Sequence, residues 1–302
     1  MPTASIDTLN EHHAVPDHVR FRTGPGGLPV AEVTGPGGTA TVSLQGGQVL
    51  EFQPTGEEPV LWMSPEAVFE TDHAIRGGVP VCWPWFGEAP GGGRHGIVRD
   101  RPFAVRETAR LMDGREACLC LGLVDDETTR ERWPHAFDLQ VWITVGSRLR
   151  VEVLMINTDV SAISVSSALH AYFRVGDIDP VSVKGVKGLR FLDKTTGFDE
   201  KVQEDLLTVE GEVDRIYLDP PAEVVLDDEG LGRRLRLTRL GGDTLVAWNP
   251  GQHKAREMAD FADAGYREML CLEPALGAAR AIEITPGEER RFGFEVGVEP
   301  LD

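Results

Sequence analysis

Two residues in this sequence sit where a proton could be moved. His170 interrupts the small and apolar run Ser167-Ala168-Leu169-His170-Ala171-Tyr172-Phe173, and Glu273 closes another, Met269-Leu270-Cys271-Leu272-Glu273-Pro274. Imidazole and carboxylate are side chains that serve as general acid and base near neutral pH. Each also has a plainer reading. A lone histidine on an apolar face is more often a hydrogen-bonded core residue, and the glutamate can be half of a structural salt bridge. The carboxylate is the more constrained of the two, because burying it demands a partner, a proton or a cavity. Pro274 forces extended backbone on Glu273 and is expected to end the strand there, placing the carboxylate at a strand terminus.

A second set of residues supplies positive charge. Residues 75–87, IRGGVPVCWPWFG, set Arg76 ahead of three glycines, two prolines and three aromatics. No regular helix tolerates that density of Gly and Pro. Residues 91–101, GGGRHGIVRDR, follow, so the span 76–101 holds Arg76, Arg94, Arg99 and Arg101 against Glu88 and Asp100, with His95 among them. One reading is a solvated loop whose arginines pair with surplus acids. The other is a cleft for a small anion, since guanidinium presents a planar fork of donors suited to phosphate. GGGRHG is not a phosphate-binding P-loop, because it lacks GK[ST] and a following apolar helix. Asp214, in Val213-Asp214-Arg215-Ile216-Tyr217, would alone be taken for a surface charge. Trp248-Asn249-Pro250-Gly251 reads as a strand ending in a structural turn, and His135 as packing beside Trp133 and Phe137.

Composition narrows the field. The 302 residues carry a formal charge of −19, which repels a phosphate backbone and argues against nucleic acid as a partner. Apolar content of 41% and charged content of 26% are those of a globular protein. Cys82, Cys118, Cys120 and Cys271 form no CxxC pair and read as buried thiols of a reducing compartment. No signal peptide and no membrane span are legible, so the expectation is a cytoplasmic protein with no membrane partner. The scattered cysteines and the absence of HExxH or paired-histidine spacing point to no metal and no cofactor.

The elements that must position these residues are strands. Period-two alternation marks 39–44, 117–124, 139–145, 149–156, 163–169, 231–240 and 291–298, with Gly/Pro turns between them, including GPGG at 24–27 and 35–38 and APGGG at 89–93. Helix candidates are few and short, at 131–136 and 254–261. The expected fold class is all-β, a large antiparallel sandwich formed as a single domain over residues 19–302. Residues 1–18 are expected to be a loose tail or a first edge strand.

Six segments in this order, IRGGVPVCWPWFG, RHGIVRD, SALHAYFRVGDI, VDRIYLD, WNPG and CLEPA, resemble the hexose-6-phosphate mutarotases of the aldose 1-epimerase superfamily. The motifs run from residue 75 to residue 275, and the flanking strands are compatible. Each motif alone is weak; together they are specific. The resemblance implies a β-supersandwich of the galactose mutarotase kind, His170 as general acid and Glu273 as general base. It also implies that Arg76, His95, Arg99 and Asp214 contact the sugar or its phosphate. Many relatives read HGFAR where this chain has His95-Gly96-Ile97-Val98-Arg99, and Arg94 is an extra cation of open role. The implied chemistry starts from a protonated histidine and an ionised glutamate, and the cleft would be walled by Trp83, Trp85 and Phe86. The implied partner is a small-molecule sugar phosphate, with the protein a monomer or weak dimer. An epimerase of unphosphorylated aldoses and a non-catalytic carbohydrate-binding protein on the same fold are the alternatives. The arginine cluster argues against the first, and the presence of both His170 and Glu273 against the second.

Overall fold

The structure is a computed structural model that describes residues 4–89 and 93–301, so most of the turn expected at 89–93 lies outside the described residues. Alternation of apolar and polar residues builds two eight-stranded antiparallel sheets. One runs, in spatial order, Ser182–Lys184, Glu223–Asp228, Arg233–Leu240, Glu289–Pro300, Leu149–Asn157, Phe137–Val145, Glu116–Val124 and Ala104–Leu111. In Phe137–Val145 the odd positions Phe137, Leu139, Val141, Ile143 and Val145 are all buried, as a strand with one face on a core requires.

The second sheet holds Asp199–Val202, Arg190–Asp193, Val213–Leu218, Thr244–Asn249, Met269–Leu276, Ser167–Leu169 and Val81–Cys82, with Tyr172–Arg174 also paired to Met269–Leu276. The two sheets share one apolar core, bridged for example by Phe173 and Phe294 at 6.2 Å between ring centroids. A four-stranded sheet, Val19–Thr23, Pro29–Gly35, Gly38–Ser43 and Gln48–Pro54, and a two-stranded ribbon, Ile163–Val165 with Ile282–Ile284, complete the β structure among the described residues. The expected all-β sandwich is the observed architecture.

The differences from expectation are local. The run 163–169 is two strands, because the Ser166 N–H donates to Pro84 O and the segments on either side join different sheets. The helix expected at 131–136 lies at Glu127–Arg132, where Asp126 and Thr129 form a reciprocal capping box. Trp133 then turns extended ahead of Pro134. Only Gly251–Ala255 of the second candidate region is α-helical. The N-terminal stretch expected as a tail or edge strand contains the helix Ile6–His13. The Ser5 side chain accepts from the Thr8 N–H, Leu9 is buried, and the Asn10 amide exchanges hydrogen bonds with the Phe21 backbone. All four cysteines are free and buried, as expected. No helix among the described residues is long and apolar enough to cross a membrane.

The Gly/Pro segment after Arg76 is threaded tightly between the sheets. Gly78 has φ 61°, and a Cβ there would lie 2.1 Å from the Val49 carbonyl oxygen. The adjacent Val79 N–H donates to that same oxygen, so the backbone cannot simply move away. Gly78→Ala should therefore lose more than the ~1–3 kcal/mol typical of a left-handed non-glycine residue. Thermal unfolding checks this: a melting temperature within a degree or so of wild type would show that the segment has slack.

Candidate active site

Strand Met269–Leu276 is buried on both faces. Leu270 and Leu272 enter the shared core between the sheets, so Cys271 and Glu273 point the other way. Glu273 is therefore mid-strand and not at a strand end, a correction to the reading of Pro274. The proline does not terminate pairing, and the reason is positional. The Leu272 N–H points toward the neighbour on the Ser167–Arg174 side, donating to Ala171 O, and position 274 faces the same way. That neighbour is interrupted between Leu169 and Tyr172, so Pro274 forfeits no ladder bond to Thr244–Asn249.

The interruption is at His170. Ala168 pairs with Ala275 and Tyr172 with Cys271, an unchanged register that sets His170 across from Glu273. The His170 N–H donates to Pro80 O, outside the ladder to Met269–Leu276. Its ring stacks on Tyr172 at 4.7 Å and meets His95 and Trp248 edge-on, each at 5.5 Å. Nδ1 of His170 lies 3.4 Å from Oε1 of Glu273, beyond a good hydrogen bond but well within electrostatic reach. Both residues are buried, at 7% and 1% exposure, and His170 Nδ1 and Glu273 Oε2 have no hydrogen-bond partner in the protein.

Adjacent strands complete the floor. Across the sheet from Glu273 come Val246 and then Ile216; across from Cys271 come Trp248 and then Asp214. The loop carrying His95 closes one side. His95 takes φ 60°, and Gly96 follows because a Cβ there would lie 1.7 Å from Trp83 O. The Gly87 N–H donates to His95 Nδ1 at 3.3 Å, which leaves the ring proton of the neutral histidine on Nε2.

These groups surround a cavity of about 570 Å³, the size of a small-ligand site. Arg76, Arg94, His95, Arg99, His170, Asp214 and Glu273 all border it, so the structure brings together every site residue expected from sequence. The expected aromatic wall is only partly there. Phe86 lines the cavity, but Trp83 is buried against Trp133 and Phe137, and Trp85 is not among the lining residues. The indole on the floor is Trp248, from the segment read as structural. Lys194, Glu212 and Lys254 were also missed. Lys194 follows strand Arg190–Asp193 in a turn capped by Asp193, a segment with no sequence signature of its own.

Most cations here are already paired. Arg94 binds Glu88, Lys194 binds Asp214 at 3.0 Å, and Lys254 binds Glu212. Arg76 is forked on Asp260 at 3.0 and 3.1 Å and donates to the Tyr172 hydroxyl at 3.1 Å. Arg99 differs: it donates to the Arg94 carbonyl at 2.7 Å and has no carboxylate partner among the described residues.

Burial dominates the ionisation of the central pair. It pushes the Glu273 carboxyl well above its ordinary range, opposed by Lys194 and helped by Asp214. It pushes His170 well below its ordinary range, a shift deepened by the charges of His95, Arg76, Arg99 and Lys194. His95 is lowered likewise, first by burial and then by Arg99. As the protein stands, the neutral pair is favoured over the expected imidazolium and carboxylate, because desolvation penalises both charges. Proton donor and acceptor thus face one cavity over a neutral histidine, an indole and one cation that lacks a carboxylate. Cys271, the neighbour of Glu273 on the same strand face, adds the only set of potential metal ligands among the described residues.

Residues 29–297 match the family model described as Aldose 1-epimerase. An Escherichia coli K12 protein named "Putative glucose-6-phosphate 1-epimerase" is 39% identical over 78% of this chain and 79% of its own length. A crystal structure described as a "putative mutarotase" from Salmonella typhimurium superposes with a TM-score of 0.88 at 34% identity, covering 95% of this chain and 96% of that one. A galactose mutarotase-like protein from Clostridium acetobutylicum shares the fold at 13% identity, with a TM-score of 0.73 over 93% and 98% of the two chains.

The raised pKa of Glu273 has a consequence for stability. Above its ordinary value of 4.5 the unfolded chain releases this proton while the folded protein holds it, so stability falls as pH rises until the folded group ionises too. His170, held below 6.5, works in the opposite sense: its contribution is present above 6.5 and is lost as pH falls. Glu273→Gln removes the first dependence and keeps the second. The melting temperature of the variant minus that of wild type should therefore grow from pH 4.5 to mildly alkaline pH. A flat difference would mean that Glu273 ionises freely in the folded protein.

Proposed function

The chain belongs to the aldose 1-epimerase family, and on that premise we propose that it interconverts the α and β anomers of a hexose 6-phosphate, glucose 6-phosphate foremost. The observation that carries the reading is the His170–Glu273 pair, 3.4 Å apart and buried at the floor of the cavity with cations on its walls. In the reaction, Glu273 accepts the proton of the anomeric hydroxyl while His170 delivers one to the ring oxygen. The C1–O5 bond breaks and the C1 carbonyl forms. Rotation about C1–C2 presents the other carbonyl face, and closure returns both protons.

The ionisation found for the pair is compatible with this chemistry. A neutral histidine with a protonated glutamate, and an imidazolium with a carboxylate, contain the same number of protons. Either description gives one bell-shaped pH profile whose two limbs belong to the pair and not to one residue each. A sugar whose hydroxyl and ring oxygen engage the two groups supplies the polar contacts that favour the charged form. His95, with its proton on Nε2, offers the sugar a neutral donor, and Trp248 offers an apolar face.

Arg99 favours a phosphorylated sugar over a free one. A cation without a carboxylate, in the same cavity as Lys194, is a ready anion site, whereas a neutral sugar has no use for it. We assign Arg76 a different part from the phosphate contact expected at first. With three of its N–H donors held by Asp260 and Tyr172, it braces the ring on which His170 stacks. Asp214 and Lys194 contact the sugar or its phosphate as a pair. A non-catalytic binder would have no cause to keep His170 and Glu273 buried 3.4 Å apart, each with a polar atom left unpartnered. The sandwich acts as one unit that includes the helix Ile6–His13, since Leu9 lies in the same apolar core. A hexose phosphate is an intracellular metabolite, in keeping with a cytoplasmic protein.

The direct test is anomer exchange of glucose 6-phosphate followed by NMR, against glucose as the control. Glu273→Gln and His170→Asn should each lower the exchange rate by about 10²–10⁴-fold with the fold retained. Near wild-type exchange in either variant would remove that residue from the mechanism.

The arginines should separate in the same assay. Arg99→Ala removes a charge-assisted contact of about 1.5–3 kcal/mol, roughly 10–150-fold in affinity for the phosphorylated sugar, with little effect on the free one. Arg76→Ala should lower turnover of both sugars. Equal losses for both sugars in Arg99→Ala would favour the free-aldose reading.

A further inference from the structure

Cys271 is drawn into neither the fold's chemistry nor the proposed reaction, yet it stands beside both reacting groups. One ligand atom from each of His170, Cys271 and Glu273 lies within 4.8 Å of the other two, and all three residues are buried. We propose that these three side chains form a binding site for a soft divalent cation, zinc or cadmium, whose occupancy shuts off the epimerase.

Two observations beyond the grouping itself support a ligand here. His170 Nδ1 and Glu273 Oε2 are buried polar atoms without a hydrogen-bond partner, and both residues border the cavity. Nitrogen, thiolate and carboxylate together are a donor set that suits zinc and its softer congener, while magnesium and calcium prefer oxygen alone. Three protein ligands leave a fourth position toward the cavity, in keeping with tetrahedral zinc.

The charge balance favours the bound state. Loading takes the proton from the Cys271 thiol and the proton shared by His170 and Glu273, and both pass to solvent. The neutral imidazole, the thiolate and the carboxylate then meet a doubly positive ion, so the buried cluster is neutral overall. Arg76, which acts on Cys271, and Lys194, which acts on Glu273, are already neutralised by Asp260 and Asp214. Cys271 lies in a buried apolar cluster with Trp62 and Phe261 and is flanked across the sheet by Tyr172 and Trp248, which leaves the His170–Glu273 side for the ion. Because the metal takes the lone pairs that would accept and deliver the sugar's protons, metal and sugar phosphate exclude each other.

The inhibitory consequence rests on His170 and Glu273 being the reacting pair; the metal site itself does not. The test accordingly has two arms. In the first, cadmium is titrated into the full-length protein while the thiolate-to-metal charge-transfer absorption is recorded, with calcium and magnesium as controls. One equivalent should bind with a thiolate band, and glucose 6-phosphate should displace it. Cys271→Ser and Cys271→Ala should lack the band while still catalysing exchange. No band in wild type, or an undiminished band in the Cys271 variants, overturns the site.

In the second arm, zinc should inhibit wild-type exchange competitively and reversibly. The Cys271 variants should need about 10–100-fold more zinc or beyond, since losing a ligand costs at least what losing a supporting contact does. Exhaustive chelation should leave wild-type activity intact or raise it. If cadmium binds with its thiolate band but zinc leaves exchange unaffected, the site stands and the proton-transfer roles of His170 and Glu273 fall. If chelation abolishes activity until metal is restored, the ion is a cofactor, and the inhibitory inference is wrong.

Discussion

Everything in this site follows from keeping the Glu273 carboxyl inside the protein with only a proton, or a cation close by, to neutralise it. An isolated carboxylate in an apolar interior is too costly to persist, and its lone pairs need partners even when it is neutral. The structure meets the cost by fixing the strand from behind. Leu270 and Leu272 are locked into the core shared by the two sheets, and the alternation of a strand then leaves Cys271 and Glu273 no choice of direction. Sliding the register by one residue would send leucines into the cavity and the carboxyl into the core. The apolar residues of one face thus secure the polar residue of the other.

Pro274 and the break at His170 belong to the same solution. A continuous neighbouring strand would have met a residue with no N–H at position 274. Instead the neighbour leaves the ladder at His170, whose own N–H is satisfied by Pro80, and resumes in register at Tyr172. The departure gives the imidazole its orientation, and Tyr172 holds it by stacking. Arg76, forked on Asp260, in turn fixes the Tyr172 hydroxyl. The chain of support runs from an arginine at the head of a Gly/Pro segment to the His170–Glu273 pair.

The alternation of residues and the turn chemistry between them made the sandwich legible in the sequence, because a strand's period is a local property. The site residues were legible for a different reason: a carboxylate in an apolar run and arginines in an acidic chain are each anomalous in their surroundings. What escaped was decided by contacts distant in sequence. Trp83 and Trp248 are both tryptophans within two residues of a proline, and only the sheet order sends the first into the core and the second to the cavity floor. Lys194 sits in an ordinary polar turn and matters only because Asp214 lies opposite. The N-terminal helix was hidden because its stability comes from capping and from the Asn10–Phe21 contacts, not from a strong apolar stripe. Pro274 misled because the end of a strand was inferred from one residue, when the answer lay in the neighbouring strand.

The charge of the cavity also differs from what the cluster of arginines implied. With Arg94 on Glu88, Lys194 on Asp214, Lys254 on Glu212 and Arg76 on Asp260, four of the five cations lining the cavity are locally balanced. A broad positive field is therefore absent, and in a chain of formal charge −19 none would reach far into solvent through the ionic atmosphere. If the cavity holds the proposed sugar phosphate, its attraction has to be short-range: Arg99 directly, and Lys194 by shifting between Asp214 and the incoming anion. Such an exchange would tie the phosphate to the floor of the site, because Asp214 raises and Lys194 lowers the pKa of Glu273. A phosphate that draws Lys194 away from the carboxyl makes Glu273 hold a proton more tightly. One that leaves Lys194 between the two anions lets the glutamate ionise. Only the second arrangement would let Glu273 act as the base of the proposed reaction.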